Sequence, residues 1–286
     1  MCGKKVSIRH GSWFSNSNLS LESIVLLTYF WVYKVEQAFV EHELAISHTT
    51  IVDWYNFARE VCILILENFS KKIGGPGKVV EIDESKFGKR KYHKGRRVDG
   101  VWVFGGIERD SKECFFKCVA DRTADTLVAI IKEYILPGTT IISDCWKAYS
   151  SLNNEGFSHL TVNHSVNFVD PETGAHTNTI ESTWRALKKS LPKHGTVKNL
   201  YDTYFAQYCV RKQFLTDRDD PFLEFLKLVK LIYSPTFDPT QEDIDAYRKR
   251  KSEKQHPENS AKVARVPFCN IQNLNLSTSS ADDFQM

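Results

Sequence analysis

The chain has 286 residues and a formal net charge of +3, which by itself does not point to a nucleic-acid partner. The 42% hydrophobic and 12% aromatic content excludes wholesale disorder, and the length suffices for about two domains. Seven cysteines without the spacing of a disulfide scaffold favour a reducing compartment. The most apolar stretch, residues 24–35, is too short to cross a bilayer. We therefore expect a soluble intracellular protein.

The first predicted elements are helices within residues 19–69. Apolar residues recur there at mixed spacings of three and four, and no proline or glycine interrupts them. Within this region, residues 35–54 are expected to form two short helices joined by a turn at 44–47, with Ser47 capping the second. This spacing is that of a helix-turn-helix DNA-binding motif. An ordinary helical hairpin is the alternative.

A glycine- and proline-rich turn at residues 74–77 predicts a domain boundary, because it cannot continue a helix. After it, three strands, a helix and a fourth strand predict an α/β domain with a mixed sheet, in which the helical crossover sets the fourth strand parallel to the first. The predicted elements are strands 79–83, 101–107, 114–119 and 139–144, and helices 124–135, 178–191, 200–215 and 221–232. Residues 236–286 are expected to be mostly unstructured.

Three carboxylates stand out by position. Asp83 interrupts an apolar strand, where a buried charge is unfavourable unless it is paired. Asp144 ends the fourth strand, so both side chains can project near one end of the sheet. Glu181 lies one turn into the next helix. Carboxylates that converge in this way can hold two divalent ions, and oxygen ligands suit Mg²⁺ or Mn²⁺.

Each carboxylate also has a purely structural interpretation. Asp83 could be half of a satisfied core pair, and Asp144 could cap the helix starting near Trp146. Asn178 and Glu181 fit a capping-box pattern, with Asn178 as the N-cap. The combination of all three in this strand order favours the metal site.

Several linked motifs resemble one family. Residues 80–85 read VEIDES, residues 142–149 read ISDCWKAY and residues 176–184 read HTNTIESTW. They strongly resemble the DDE transposases of the Merlin DNA-transposon superfamily and their bacterial insertion-sequence relatives, which have an ISXO-type integrase-like domain. The 36 residues between Asp144 and Glu181 match the Merlin spacing, and the resemblance covers roughly residues 20–220.

The resemblance implies a ribonuclease-H-like catalytic fold preceded by the helix-turn-helix region. It implies that Asp83 bridges two Mg²⁺ or Mn²⁺ ions and that Asp144 and Glu181 each complete one site. Family members cut transposon ends by hydrolysis and join the freed 3′-hydroxyl to target DNA, usually as at least a dimer. By the same resemblance Lys188 contacts DNA, while His176 and Asn178 belong to the motif without an assigned role.

Zinc is not expected, which is a departure from many relatives. Those relatives carry two Cys-x-x-Cys pairs near the N-terminus, whereas here only Cys2 stands in that region. We expect residues 1–18 to be the remnant of a zinc-ribbon-like segment, from a truncated copy or a misassigned gene start. Cys114 and Cys118 fall on one face of a strand and are expected to be core residues.

Two basic, acid-free segments flank the carboxylates. Residues 86–97 hold seven Lys or Arg, and residues 185–198 hold five. They predict a positive rim for double-stranded DNA, both transposon terminal repeats and target. Solvated basic loops are the alternative. The residues expected to contact DNA are Arg90, Lys91, Arg96, Arg97, Lys188 and Lys189. The basic run 248–251 could act as a nuclear import signal, so we expect the nucleus in a eukaryotic host and the cytoplasm in a bacterium.

The predicted organisation is thus a helical DNA-binding region at 19–73, a catalytic domain at 78–234 and a basic, polar tail at 235–286. The predicted function is metal-dependent transposition. Two alternatives remain at this point: a transposase-derived DNA-binding protein without catalysis, and a metal-dependent nuclease that cuts without joining.

Overall fold

The computed structural model describes residues 7–88, 100–163, 169–171, 174–192, 196, 198–216 and 218–233. All of them fall within the unit formed by residues 1–240. No helix in these ranges is long and apolar enough to cross a membrane. The predicted tail and the import signal at 248–251 lie outside the described residues, as does Cys2.

Among the described residues, three helices precede the glycine-rich turn, within the region 19–69 that the apolar spacing predicted to be helical. They are α1 (Leu21–Val32), α2 (Gln37–Leu44) and α3 (His48–Phe69). The side chain of Ser47 accepts a hydrogen bond from the backbone N–H of Thr50, which confirms the predicted N-cap. Ala45 adopts a left-handed conformation, with φ of 49°, and ends α2. Two helices joined by a short turn are therefore present, and their role as a DNA-binding motif stays a prediction.

The centre of the fold is a five-stranded mixed sheet. The elements in this part are β1 (Ile73–Gly74), β2 (Val79–Phe87), β3 (Val101–Glu108), β4 (Cys114–Val119), α4 (Ala124–Tyr134), β5 (Ile135–Leu136), β6 (Thr140–Asp144) and β7 (Ser158–Val162). The sheet order is β4-β3-β2-β6-β7, and β1 pairs only with β5. The strands β2, β3 and β4 are antiparallel, whereas β6 and β7 run parallel to β2. The predicted parallel pairing of the first and fourth long strands is confirmed.

The sequence patterns did not predict β7, and the predicted ends of some strands and helices were wrong. In β7 the side chains of Ser158 and Thr161 are exposed, so this edge strand lacks the apolar run that identified the others. The first long strand continues past the predicted 79–83 to Phe87, because polar residues extend it beside β3. The helix predicted at 124–135 ends one residue early, since Ile135 joins β5.

Three helices follow the sheet: α5 (Asn178–Ser190), α6 (Tyr201–Val210) and α7 (Pro221–Ile232). The bounds predicted for α7 are confirmed. The helix predicted at 200–215 is less regular, because it begins with the 3-10 turn Lys198–Leu200 and ends in the π-helical turn Arg211–Leu215. The guanidinium of Arg211 donates to the backbone carbonyls of Trp31 and Val32 at 2.6 and 2.7 Å. The C-terminal helices thereby pack on the N-terminal ones, and the domain boundary at 74–77 stays a prediction.

Successive residues of β2 point to two different cores, one on each face of the sheet. Val80 and Ile82 belong to the core that α4 covers. Phe87 belongs to the core that α5 and α6 cover. Cys114 is buried in this second core, with its sulfur 3.9 Å from that of Cys209, as expected of a core residue. The face covered by α5 is the one that carries the odd-numbered acidic residues of β2.

Candidate active site

Asp83 lies in the middle of β2, on the face covered by α5. Its carboxylate accepts hydrogen bonds from the indole N–H of Trp184 at 3.0 Å and from the backbone N–H of Glu84 at 2.8 Å. The pKa of Asp83 is raised to about 6, mainly by burial and further by the carboxylates of Asp144 and Glu181, although the two hydrogen bonds lower it. The carboxylates of Asp144 and Glu181 are therefore close enough to Asp83 to raise its pKa.

Asp144 is the last residue of β6 and lies beside Asp83 across the parallel pair. Glu81 of β2 is in register with Ile142 of β6, and each aspartate is two residues further along its strand. The backbone N–H of Trp146 donates to Asp144 Oδ1 at 3.1 Å. This contact is not a helix cap, because the 3-10 helix that follows, Lys147–Tyr149, has Trp146 as its N-cap and no side-chain cap, so the expected helix cap by Asp144 is wrong. The contact is compatible with metal binding because a carboxylate accepts several hydrogen bonds.

Glu181 lies in the first turn of α5. The N-cap of this helix is Thr177, so the predicted capping box with Asn178 as N-cap is wrong by one residue. Asn178 is exposed and already helical. The backbone N–H of Ile180 donates to Glu81 Oε2 at 2.9 Å. A carboxylate from the sheet takes the place of a local cap, and its charge suits a helix N-terminus.

Glu81 is a fully buried carboxylate that the sequence analysis did not single out. In addition to its bond from Ile180, its Oε1 accepts a hydrogen bond from Arg109 Nε at 2.6 Å and lies 3.6 Å from His176 Nδ1. Arg109 also donates to the backbone carbonyl of His176 at 2.6 Å. The motif residue His176 is thus part of a polar cluster that joins β2, the β3–β4 turn and the start of α5.

Glu84 is a second carboxylate that was missed, and it lies on the face of β2 opposite Asp83. It accepts a hydrogen bond from the Tyr149 hydroxyl, and its Oε2 is 4.0 Å from Arg122 Nη1. Burial and the carboxylates of the candidate site raise the pKa of Glu84 to about 7, whereas Arg122 lowers it. Glu81 and Glu84 carry the same sequence signal as Asp83, a charge within a largely apolar strand.

The donor set of the candidate site fits a hard divalent cation. Asp83, Asp144 and Glu181 offer only carboxylate oxygens, the ligands that Mg²⁺ and Mn²⁺ prefer. The pKa of Asp83 is raised mainly by burial and further by the negative charges of Asp144 and Glu181, and a bound cation would offset both effects. In the described ranges no group of three or more His, Cys, Asp or Glu side chains is already arranged to hold a metal ion. The fit is therefore one of charge and donor type.

Lys188 lies on the side of α5 that faces β2. Its ammonium donates to the Ser85 hydroxyl at 2.6 Å and lies 5.2 Å from the centroid of the Phe87 ring. Because Ser85 follows Asp83 by two residues on the same strand face, Lys188 borders the carboxylates. Lys189 is exposed at the next position of the helix. The other four residues predicted to contact DNA lie outside the described residues: Arg90, Lys91, Arg96 and Arg97.

The strand order of the sheet defines the fold class. Three antiparallel strands followed by two parallel ones, with the first long strand at the centre, form the ribonuclease-H-like arrangement. The family model described as the ISXO2-like transposase domain matches residues 73–217, just over half of the chain. The chain belongs to this transposase family, which confirms the insertion-sequence side of the predicted resemblance.

One relative and two solved structures are also similar to parts of this chain. An "Uncharacterized transposase-like protein" of Haemophilus influenzae is 31% identical over 83 residues, which are 29% of this chain and 66% of the relative. Among solved structures, the HTLV-2 integrase catalytic core domain in complex with magnesium is 11% identical and has a TM-score of 0.34 over 55% of this chain and 99% of that one. A simian T-cell lymphotropic virus intasome structure has a TM-score of 0.33, with 15% identity over 76% of each chain. The fold assignment rests on the strand order and not on these structural similarities.

Proposed function

We propose that this protein is a DNA transposase that cuts transposon ends and joins the freed 3′-hydroxyl to target DNA. The family assignment supports the class of activity. The observation that supports the chemistry is the electrostatic influence of the Asp144 and Glu181 carboxylates on Asp83, whose pKa they raise in addition to the effect of burial. The Merlin spacing between Asp144 and Glu181 supports the same proposal.

Two Mg²⁺ or Mn²⁺ ions are the proposed cofactors, and Asp83, Asp144 and Glu181 would hold them. When bound, such ions supply Lewis acidity to the attacking and leaving oxygens of an in-line displacement at phosphorus. The chain itself orients the ligands. Trp184 and the backbone N–H of Glu84 fix the Asp83 carboxylate by hydrogen bonds. The hydrogen bond from the Ile180 N–H to Glu81 fixes the start of the helix that carries Glu181.

Double-stranded DNA is the proposed partner, both as terminal repeats and as target. Lys188 and Lys189 would neutralise phosphates beside the carboxylates, together with Arg90, Lys91, Arg96 and Arg97. The helix pair α2–α3 is proposed to read the transposon end. Joining two ends to one target requires at least a dimer on DNA. We place the reaction in the nucleus of a eukaryotic host or the cytoplasm of a bacterium.

The decisive experiment follows the fate of a labelled duplex that carries the terminal repeat flanking the gene. With Mn²⁺, the purified protein is expected to yield cut ends first and joined products later. Cutting without joining would instead identify a metal-dependent nuclease. Binding without cutting would identify a transposase-derived DNA-binding protein. If the protein neither binds nor cuts the duplex, the proposed function is wrong.

A further inference from the structure

A stack of alternating cations and indole rings lies on the face of the sheet opposite α5. Lys86 of β2 and Trp102 of β3 are directly paired across the strands, with the ammonium 5.5 Å from the centroid of the indole ring. The guanidinium carbon of Arg122 lies 3.8 Å from the ring centroid of Trp102 and 4.9 Å from that of Trp146. We refer to Lys86, Trp102, Arg122 and Trp146 as the indole stack.

Trp146 is the exposed end of the indole stack, with 43% of its surface accessible. Its backbone N–H donates to Asp144 Oδ1 at 3.1 Å, which ties the position of this tryptophan to the candidate active site. Arg122, its neighbour in the stack, is itself held near the buried carboxylate of Glu84, 4.0 Å away. A single exposed apolar residue needs no explanation in general. An indole that packs on a cation, in a residue whose backbone is bound to a site carboxylate, and that is still open to solvent has the features of a binding platform.

The charge of the stack also favours a nucleic acid. Lys86 and Arg122 contribute two cations and Glu84 one carboxylate, so the stack carries a net positive charge beside the acidic site. A cation that lies over an indole ring is attracted by the negative face of that ring. Basic side chains also attract the phosphate backbone of a nucleic acid. Indole rings stack on nucleobases without sequence preference, because every base has a π-face.

We propose that Trp146 stacks an unpaired nucleobase next to the phosphate on which the carboxylates act. This inference rests on the proposed function for the position of that phosphate. A base inside a duplex is covered by neighbours on both faces, so the platform takes a base that has left the stack, at a strand end or by flipping. The expected preference is for the unpaired state and not for a particular base.

The test compares two probes that bind the full-length protein in EDTA, so that no cutting alters them. One is a forked duplex whose first unpaired nucleotide is 2-aminopurine, and the other is the fully paired duplex. Wild type should bind the fork more tightly and quench its fluorescence. Trp146→Ala should weaken fork binding about 5- to 140-fold and leave the paired duplex within about twofold, whereas Trp146→Phe should keep most of the preference.

The matched control is Leu223→Ala, which removes a similarly exposed apolar side chain, 48% accessible, from α7. This variant should bind both probes with the affinity of the wild type. The inference is overturned if Trp146→Ala binds both probes like wild type, or loses both equally. It is also overturned if that variant changes only the oligomeric state, which would make Trp146 a contact between copies. Melting curves check that each variant is folded.

Failure of this inference can be told apart from failure of the proposed function. If wild type cuts the terminal-repeat duplex in Mn²⁺ but Trp146→Ala keeps the fork preference, only the stacking proposal is wrong. If wild type does not cut but Trp146→Ala loses the fork preference, the base platform stands and the proposed catalysis is wrong.

Discussion

Replacing Glu81 by Gln tests whether the buried polar cluster positions the candidate site or only stabilises the fold. The carboxylate accepts hydrogen bonds from Arg109 and from the N–H of Ile180. Hydrogen bonds to a charged group contribute about 1.5–3 kcal/mol and neutral ones about 0.5–1.5 kcal/mol, so the two bonds together lose about 2 kcal/mol. The amide NH₂ must also face one of these donors, which then lacks an acceptor at a further ~1 kcal/mol or more.

The expected loss in the free energy of unfolding is therefore about 3 kcal/mol, which a domain with a stability of about 5–15 kcal/mol survives. The start of α5 is no longer fixed by the sheet, so Glu181 loses its position. Because a displacement of about 1 Å can lower a rate by about 100-fold, we expect Mn²⁺-dependent cleavage to fall by about that factor. DNA affinity should stay within about twofold, since Glu81 is fully buried and cannot touch DNA.

Glu108→Gln is the matched control. Glu108 is also a buried carboxylate of the sheet, which accepts a bond from the N–H of Gly74 at 2.9 Å and lies 3.8 Å from the Lys78 ammonium. It should lower the melting temperature of the protein but leave the cleavage rate per folded molecule near that of wild type. Equal cleavage rates for Glu81→Gln and Glu108→Gln would refute the positioning role.

Two further substitutions probe the surroundings of the carboxylates. Lys188→Ala should weaken DNA binding and lower the slope of log affinity against log salt concentration by about 1. An unchanged slope would show that the Lys188 ammonium contacts no phosphate. Lys189→Ala tests the neighbouring exposed lysine in the same way. Gly105 stands opposite Asp83 in the sheet, and an added Cβ would lie 2.7 Å from the Trp184 ring that binds that aspartate. Gly105→Ala should therefore cost about 1–3 kcal/mol and also slow cleavage. Gly106→Ala overpacks the other face of the sheet against Phe115, so it should destabilise the protein without slowing cleavage by the folded molecules. Equal effects of Gly105→Ala and Gly106→Ala on the cleavage rate would count against the role of Trp184.

The elements that the sequence predicted well are those whose signals are local. The Pro221 start and apolar stripe of α7 lie within the helix itself, and its bounds were confirmed. The parallel pairing of β2 with β6 followed from the single helix between them. The edge strand β7 escaped prediction because neither of its faces is uniformly apolar.

The parts of the candidate site that escaped prediction depend on contacts between distant residues. The partner of the Ile180 N–H is Glu81, 99 positions away in the chain, and no local pattern identifies such a pair. For the same reason the N-cap of α5 was assigned to Asn178, since the local capping-box pattern favoured it and the sheet carboxylate could not be foreseen. The three carboxylates themselves were predicted from strand order and from the family resemblance together.

The most direct test of the central claim is Mn²⁺-dependent cleavage of the labelled duplex by Asp83→Asn, measured together with its DNA affinity. The substitution keeps the shape of the side chain and removes the charge that the metal would need. Asp125→Asn, at an exposed position in the first turn of α4, is the control and should cut like wild type. We predict that Asp83→Asn does not cut, while its DNA affinity is unchanged or higher because a negative charge near the phosphates is gone. Cleavage at the wild-type rate would contradict the assignment of the metal site.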